Sequence, residues 1–372
     1  MNIAAVSSFP GKYIQGNGIL DHFVDFLDQR YTKLVLLADP IVLSLVKDRI
    51  FNSLSKSGRK VIICDFDGES SEAAIDKLKE TVLENDANCI IGAGGGKAID
   101  TTRAAAYALD QPVVVVPTIA ATDAPVSSLA GVYGEDHNQL YTIKTGRNPN
   151  LVIVDTQVVV NAPVRFLVAG MGDALSTKFE AEAAFKAGVP NIHGGMPTAT
   201  SMAIADLSYK IVIEHGVAAK EAAAAKRVTF DVERVIEANI LLSGVGFESG
   251  GLAAAHGLHK GLTVLPEMGK VLHGEKVAFA TLVQLQMEEE YDNRPGTFFN
   301  ELASFYRKVG LPLTLKQLGI SGNQTEVLAK VRQVAAKACE KDGNIHHMPF
   351  PVDEDLVYRS IMATDERGAK YL

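Results

Sequence analysis

The sequence predicts an α/β N-terminal domain built on a parallel, doubly wound sheet, followed by an all-helical C-terminal domain. Three observations lead there. Short runs rich in Val, Ile and Leu alternate with helical stretches through the first 155 or so residues. Those runs are apolar throughout rather than alternating, as strands are when both faces of a sheet are covered. Beyond residue 164 no convincing strand follows, and alanine-rich helical periodicity takes over.

The strand-like runs are residues 34–38, 61–64, 89–91, 113–116 and 151–154. Helical stretches at 40–55, 71–85 and 98–109 separate the early ones. Strands alternating with helices imply parallel pairing. Such sheets bind ligands beyond the carboxyl ends of their strands. The second domain reads as helices at 173–187, 198–214, 229–247 and 275–290, joined by turns containing Gly and Pro. Asn161-Ala162-Pro163 marks the boundary, giving domains 1–162 and 163–372.

Composition excludes several classes. The 372 residues suffice for about two domains. A net charge of -8 with scattered Lys and Arg argues against a nucleic-acid binder, which carries a basic stripe. Cys64, Cys89 and Cys339 are few, odd in number and lack CxxC spacing, so neither a disulfide framework nor a thiolate zinc site is expected. Reduced thiols, an N-terminus without a basic, apolar leader pattern and the lack of a long apolar run predict a cytoplasmic protein that does not span a membrane.

Ile90-Ile91-Gly92-Ala93-Gly94-Gly95-Gly96-Lys97 closes a strand and opens a helix. Glycines there permit close backbone approach, and free N–H groups at a helix start suit a pyrophosphate. The run is neither GxGxxG, because Lys97 takes the third glycine's place, nor a P-loop. A tight turn with no ligand is the competing reading. Asp39 ends the first run, where an acid accepts from a ribose hydroxyl and repels a 2′-phosphate. Asp39-Pro40 is equally a helix cap. Residues 117–128 form a long loop of small residues, with Thr118 and Ser127 as donors to a phosphate or nicotinamide and Asp123 as a hydroxyl acceptor. A solvated loop is the alternative.

Asp173, His256 and His273 each stand in an apolar, glycine-rich context. One carboxylate and two imidazoles make a Zn²⁺ site with a fourth position open for substrate. The other reading makes Asp173 the cap of a helix start and each His a satisfied core residue. His259 shares a helical face with His256 and is either a rival ligand or its support. His346 and His347 are expected at the surface, and His193 and His215 show no evident partners.

Several motifs resemble the group III, iron-type alcohol dehydrogenase superfamily, in particular its glycerol-oxidising branch. They are Gly92-Ala93-Gly94-Gly95-Gly96-Lys97-Ala98-Ile99-Asp100, residues 117–125, Met171-Gly172-Asp173-Ala174-Leu175, His256-Gly257-Leu258-His259 and His273-Gly274-Glu275-Lys276-Val277-Ala278. They run in order over nearly the whole chain. The resemblance implies a dehydroquinate synthase-like architecture with the active site between the two domains. It implies that Asp173, His256 and His273 bind one Zn²⁺ per subunit. Asp39, the turn residues Gly94, Gly95, Gly96 and Lys97, and Thr118, Ala121, Ser127, Leu129 and Tyr133 look like NAD contacts. Asp123 looks like a residue close to cofactor and bound glycerol, and completes the catalytic set with the three metal ligands. A homo-oligomer, an octamer in this family, is implied too. The sequence departs from the iron-dependent members at Thr177, where they carry a further histidine ligand, and this favours the zinc type. Val126 and Ser128 also depart, in the loop facing the nicotinamide, and bear on substrate preference.

The implied activity is NAD-dependent oxidation of glycerol to dihydroxyacetone, with hydride passing to nicotinamide. Three rivals remain: a 2-hydroxycarboxylate or glycerol-1-phosphate dehydrogenase on the same scaffold, a dehydroquinate synthase-like lyase, and a nucleotide sensor that has lost its metal. The first needs a basic group near the metal, and the sequence offers no obvious one. The second normally supplies Glu where Asp173 stands. Retention of all three ligands argues against the third.

Overall fold

The computed structural model describes residues 4–134, 139–292 and 296–372. Eight strands lie in the first 155 residues: β1 (Tyr13–Gly16), β2 (Lys33–Ala38), β3 (Lys60–Asp65), β4 (Cys89–Gly94), β5 (Val113–Pro117), β6 (Leu129–Tyr133), β7 (Gln139–Lys144) and β8 (Leu151–Asp155). Helices α1 (Phe23–Phe26), α2 (Pro40–Leu54), α3 (Glu72–Glu84), α4 (Gly96–Ala108) and α5 (Thr156–Asn161) accompany them. Six strands form one sheet in the order β1-β8-β5-β4-β2-β3, every pair parallel.

The all-apolar strands are explained by their two faces. Leu34, Leu36, Ile91, Val114, Val116 and Ile153 point into a core with α2, whereas Val35, Leu37, Ile90, Val115, Val152 and Val154 point into one shared with α3 and α4. Successive residues face opposite sides of a strand, so a sheet covered on both faces needs apolar residues at every position. The second of these cores continues into the helical part through Met171, Leu175, Phe179, Val212 and Tyr306.

Two strand elements lie outside the five runs read from sequence. β1 is a four-residue edge strand carrying a polar Gln15, whose amide donates to the Glu233 backbone carbonyl and carboxylate. The antiparallel β6–β7 pair joins a short buried β6, interrupted by Gly131, to an exposed β7, so neither shows a run rich in Val, Ile and Leu.

The remaining chain is helical: α6 (Val164–Ala187), α7 (Ala199–Ala224), α8 (Phe230–Glu237), α9 (Ser243–Gly250), α10 (Ala254–Leu262), α11 (His273–Asp292), α12 (Thr297–Val309), α13 (Gln324–Ala338) and α14 (Glu354–Ala369). The expected helix over 229–247 is two helices joined by a π-turn, Ala238–Leu242. The helix expected to start at Asp173 instead starts at Val164. Asp173 therefore sits in mid-helix and caps nothing, which removes the capping explanation for it. Gly170 and Gly172, inside α6, are sites of close approach. A Cβ on Gly170 would lie 2.0 Å from the Ala120 carbonyl oxygen, and one on Gly172 would lie 2.4 Å from that of Gly274. The missing side chains let α6 press against both the loop after β5 and the start of α11. No helix among the described residues is long and apolar enough to cross a membrane.

Candidate metal and cofactor site

At the carboxyl ends of the central strands, Gly94 pairs with Pro117, and the Thr118 amide donates to the Gly94 carbonyl at 3.1 Å. The glycine turn and the loop after β5 thus adjoin. Gly94 has φ +145°, a conformation that disfavours any residue with a Cβ, and the added Cβ would stand 3.0 Å from that of Ala98. Gly95 caps α4 without a side-chain bond, leaving the first-turn N–H groups of α4 available to an anion. Lys97 pairs with Glu69 at 2.6 Å and lies 5.3 Å from the centre of the Tyr133 ring.

Asp39 does cap α2, accepting from the Ile41 and Val42 amides at 2.9 Å each. Both bonds use Oδ1, so capping leaves Oδ2 for another donor. Thr118 and Ala121 are buried in the loop, and Leu129 and Tyr133 bound β6 beside it. Ser127 is buried with its hydroxyl proton already committed, donating to Glu248 at 2.7 Å while accepting from the Leu129 amide. In this arrangement it is not a donor to a ligand.

The structure brings Asp173, His256 and His273 together, with one ligand atom from each within 4.8 Å of the others. Asp173 Oδ1 lies 3.2 Å from His273 Nε2 and 3.8 Å from His256 Nε2. Each residue comes from a different helix: α6, the first turn of α10 and the first residue of α11. The approach of α11 to α6 is enforced at Gly274, where a Cβ would meet the Ala169 carbonyl oxygen at 1.9 Å.

Both imidazoles are oriented from behind. His256 Nδ1 is bonded to Glu180 Oε2 at 2.6 Å. Glu180 is fully buried, and its Oε1 also accepts from the Ala253 and His256 amides at 2.9 Å each. It thereby serves as the acidic cap that α10 lacks locally. His273 Nδ1 is bonded to His259 Nε2 at 3.0 Å. With each Nδ1 engaged, the Nε2 atoms face Asp173, the arrangement by which outer partners fix metal-binding histidines.

The electrostatics call for a cation. Both Asp173 oxygens are buried without a hydrogen bond of good geometry. Burial opposes Asp173 ionisation, yet the His273 and His256 rings bring its pKa below the usual value. Burial would lower the His256 pKa, but Glu180 foremost, then Asp173 and Asp123, raise it to about 9. Burial and the adjacent His273 keep His259 well below the usual histidine range. Asp123 is raised well above the carboxylate range by burial and by Asp173. Three acids thus crowd two imidazoles, and a divalent ion would replace the proton that they otherwise hold on His256. The residues fit a metal.

Sequence reasoning missed Glu180, Ser243, Glu248 and Asn148. Glu180 follows Asp173 by seven residues and Thr177 by three, which places all three on one face of α6; that spacing was the available signal. Ser243 Oγ donates to Asp123 Oδ2 at 2.8 Å. Glu248, fully buried on α9, accepts from the Ser127 and Ser128 hydroxyls, the Ser128 amide and Asn148 Nδ2. Burial opposes its ionisation, but His193, which approaches to 3.5 Å, and the two serines outweigh that and lower its pKa. His215 has a partner too, Asp231 at 2.8 Å. His346 is exposed as expected, whereas His347 is half-buried and bonds to the Leu252 carbonyl beside the metal loop. The three cysteines are free thiols.

The chain is similar to known proteins over nearly its whole length. A family model described as iron-containing alcohol dehydrogenase matches residues 10–156. A glycerol dehydrogenase of Escherichia coli O6:H1 is 42% identical over 98% of this chain and 97% of its own length. One from Thermotoga maritima is 43% identical over 97% and 96% respectively. A crystal structure of glycerol dehydrogenase from Schizosaccharomyces pombe superposes with a TM-score of 0.92 at 34% identity, covering 100% of this chain and 93% of that one.

Proposed function

The chain belongs to the iron-containing alcohol dehydrogenase family, and from that premise we propose that it is an NAD-linked enzyme oxidising glycerol and related vicinal diols at a metal held by Asp173, His256 and His273. The observation that carries this reading is the buried, unbonded Asp173 carboxylate facing two imidazoles whose far nitrogens are already engaged. Bound there, a divalent cation acts as a Lewis acid that lowers the pKa of the reacting hydroxyl.

The chain's own residues do the rest. Glu180 and His259 hold the imidazoles in register. Asp123, with one oxygen on Ser243, offers the other to a substrate hydroxyl. The glycine turn and the first turn of α4 receive the cofactor pyrophosphate, with Lys97 beside it. Asp39 Oδ2 accepts from the adenosine ribose, which favours NAD over NADP. Bound NAD would supply the hydride acceptor, so oxidation of glycerol to dihydroxyacetone would send a hydride from the carbinol carbon to nicotinamide and the hydroxyl proton to solvent. Zinc is favoured over iron because Thr177 stands one turn after Asp173 and offers no imidazole, leaving three protein ligands and an open position. We place the division between the two domains at 162/163. We assign the protein to the cytoplasm and to a homo-oligomer, an octamer by family.

The acid-rich site disfavours the anionic rivals. Asp123, Asp173, Glu180 and Glu248 converge there, and a carboxylate or phosphate substrate would meet their repulsion. Lys276, the nearby ammonium, points toward the Met268 carbonyl at 3.4 Å. The test is NADH formation on glycerol, 1,2-propanediol and 2-hydroxybutyrate, with metal content measured on the same sample. Activity on the two diols that a chelator abolishes and Zn²⁺ restores is the expected result. Turnover of the hydroxy acid alone would replace this reading with its first rival, and no NADH from any of them would return the lyase or the sensor.

A further inference from the structure

The loop carrying Asp123 is held at two points, by the π-turn between α8 and α9 and by the first residue of α9. Asn239, fully buried, donates from Nδ2 to the Ala120 carbonyl at 3.0 Å and also to that of Leu167. Ser243, four residues on and fully buried, donates to Asp123 Oδ2 at 2.8 Å. The contact is tight: a Cβ on Gly244 would meet Val126 Cγ2 at 2.1 Å and the Asp123 carbonyl oxygen at 3.0 Å. A π-turn inserts one residue into a helix and shifts which side chains face a neighbour, and such turns recur at functional sites.

Behind Ser243 stands Thr177, with the two hydroxyl oxygens 3.0 Å apart. The polarity follows from the inventory of donors. With a cation held at Asp173, as the functional reading has it, Asp123 is a carboxylate that only accepts, so the single Ser243 proton goes to it. Ser243 must then accept from Thr177. A directed chain of hydroxyls therefore runs from the metal-bearing helix to the substrate-facing acid. Thr177 lies one turn after Asp173, so the chain ties the orientation of Asp123 to the helix that supplies the carboxylate ligand. Oδ2 accepts from Ser243, and among the described residues no side chain donates to Oδ1.

We propose that Ser243, set by Thr177, is a positioning residue that aims Asp123 Oδ1 at a second hydroxyl of the substrate, and so makes the enzyme select vicinal diols over simple secondary alcohols. This rests on the functional reading above. The hydroxyl on the carbon next to the reacting carbinol donates to Asp123. A mono-alcohol has nothing to offer there, and leaves the buried carboxylate oxygen without a donor.

The test is the ratio of kcat/KM for glycerol to kcat/KM for 2-propanol, with glycerol Kd measured by calorimetry on the metal-loaded protein. In Ser243→Ala the ratio falls roughly tenfold or more, as for loss of a hydrogen bond to a charged group, and glycerol Kd weakens in parallel. Metal content stays at the wild-type level. Ser243→Thr, which keeps the hydroxyl, recovers the ratio. Thr177→Val removes only the outer donor, so it lowers the ratio by a smaller factor in the same direction and serves even if Ser243→Ala folds poorly. An unchanged ratio in both variants, or equal losses on the two alcohols, overturns the assignment. A wild-type enzyme forming no NADH from glycerol overturns the functional reading, and this assignment with it.

Discussion

The two halves of the site are built by different physics. The cofactor half is shaped by main chain: Gly94 at φ +145°, Gly95 as a bare cap, the amide of Thr118 on the Gly94 carbonyl. Its charged side chains, Asp39 and Lys97, are only partly buried. The metal half is shaped by buried side chains: Asp173, Glu180 and Asp123 have at most 8% of their surface exposed. Buried charges are costly unless paired. In the proposed reading, packed side chains hold the ion, whereas main chain at glycines lets the cofactor approach closely. Specificity for the metal should thus fail through side chains, and cofactor binding through backbone geometry.

The largest effect expected is at His256. Replacing it with Ala removes one of three ligands and leaves Glu180 buried without its partner. Turnover should fall by roughly a thousandfold or more and metal should be lost on gel filtration. Full activity with retained metal would break the comparison at its base.

Glu180→Gln sharpens it. The amide keeps one acceptor for the α10 amides but loses the charge behind His256. Metal affinity, measured by competition with a chromophoric chelator, should weaken by about 10–100-fold, while NADH affinity holds. On the other half, Gly94→Ala should do the reverse. Forcing a Cβ to φ +145° costs about 1–3 kcal/mol, so NADH binding followed by fluorescence should weaken by about tenfold with metal content intact. Equal loss of metal in both variants would show that the halves are not separate.

Glu248 clasps the two halves, and its effect is the smallest. Its folded pKa lies below the ordinary glutamate value, so its stabilisation is complete above the unfolded pKa, about 4.3. That stabilisation is lost as pH falls through the lower folded pKa. In Glu248→Gln the fall in denaturation midpoint between about pH 5 and pH 3 should be shallower than in wild type. Identical slopes would show that the clasp carries no charge-dependent stability.

The same contrast governs what the sequence revealed. Backbone-built features are local, so they are legible: the glycine turn, the Asp39 cap and all five expected strands, edge strand β3 included, appear where the residue pattern places them. The exceptions are β1, four residues long with a polar Gln15, the exposed β7, and β6, a short buried strand interrupted by Gly131. Side-chain-built features depend on contacts between distant residues. Asp173 and His256 are 83 positions apart, and only the family motifs brought them together on paper. Glu180, Ser243 and Glu248 lie in helices whose apolar periodicity hides them, because each serves a partner more than 70 positions away.

The central claim is that a metal sits between one carboxylate and two imidazoles. Zinc K-edge absorption spectroscopy on the purified protein tests it directly. About one zinc per chain is expected, with two nitrogen neighbours near 2.0–2.1 Å, outer-shell scattering from imidazole rings and the remaining neighbours oxygen. A zinc-loaded protein whose first shell lacks imidazole, or one in which His256→Ala leaves that shell unchanged, would contradict it.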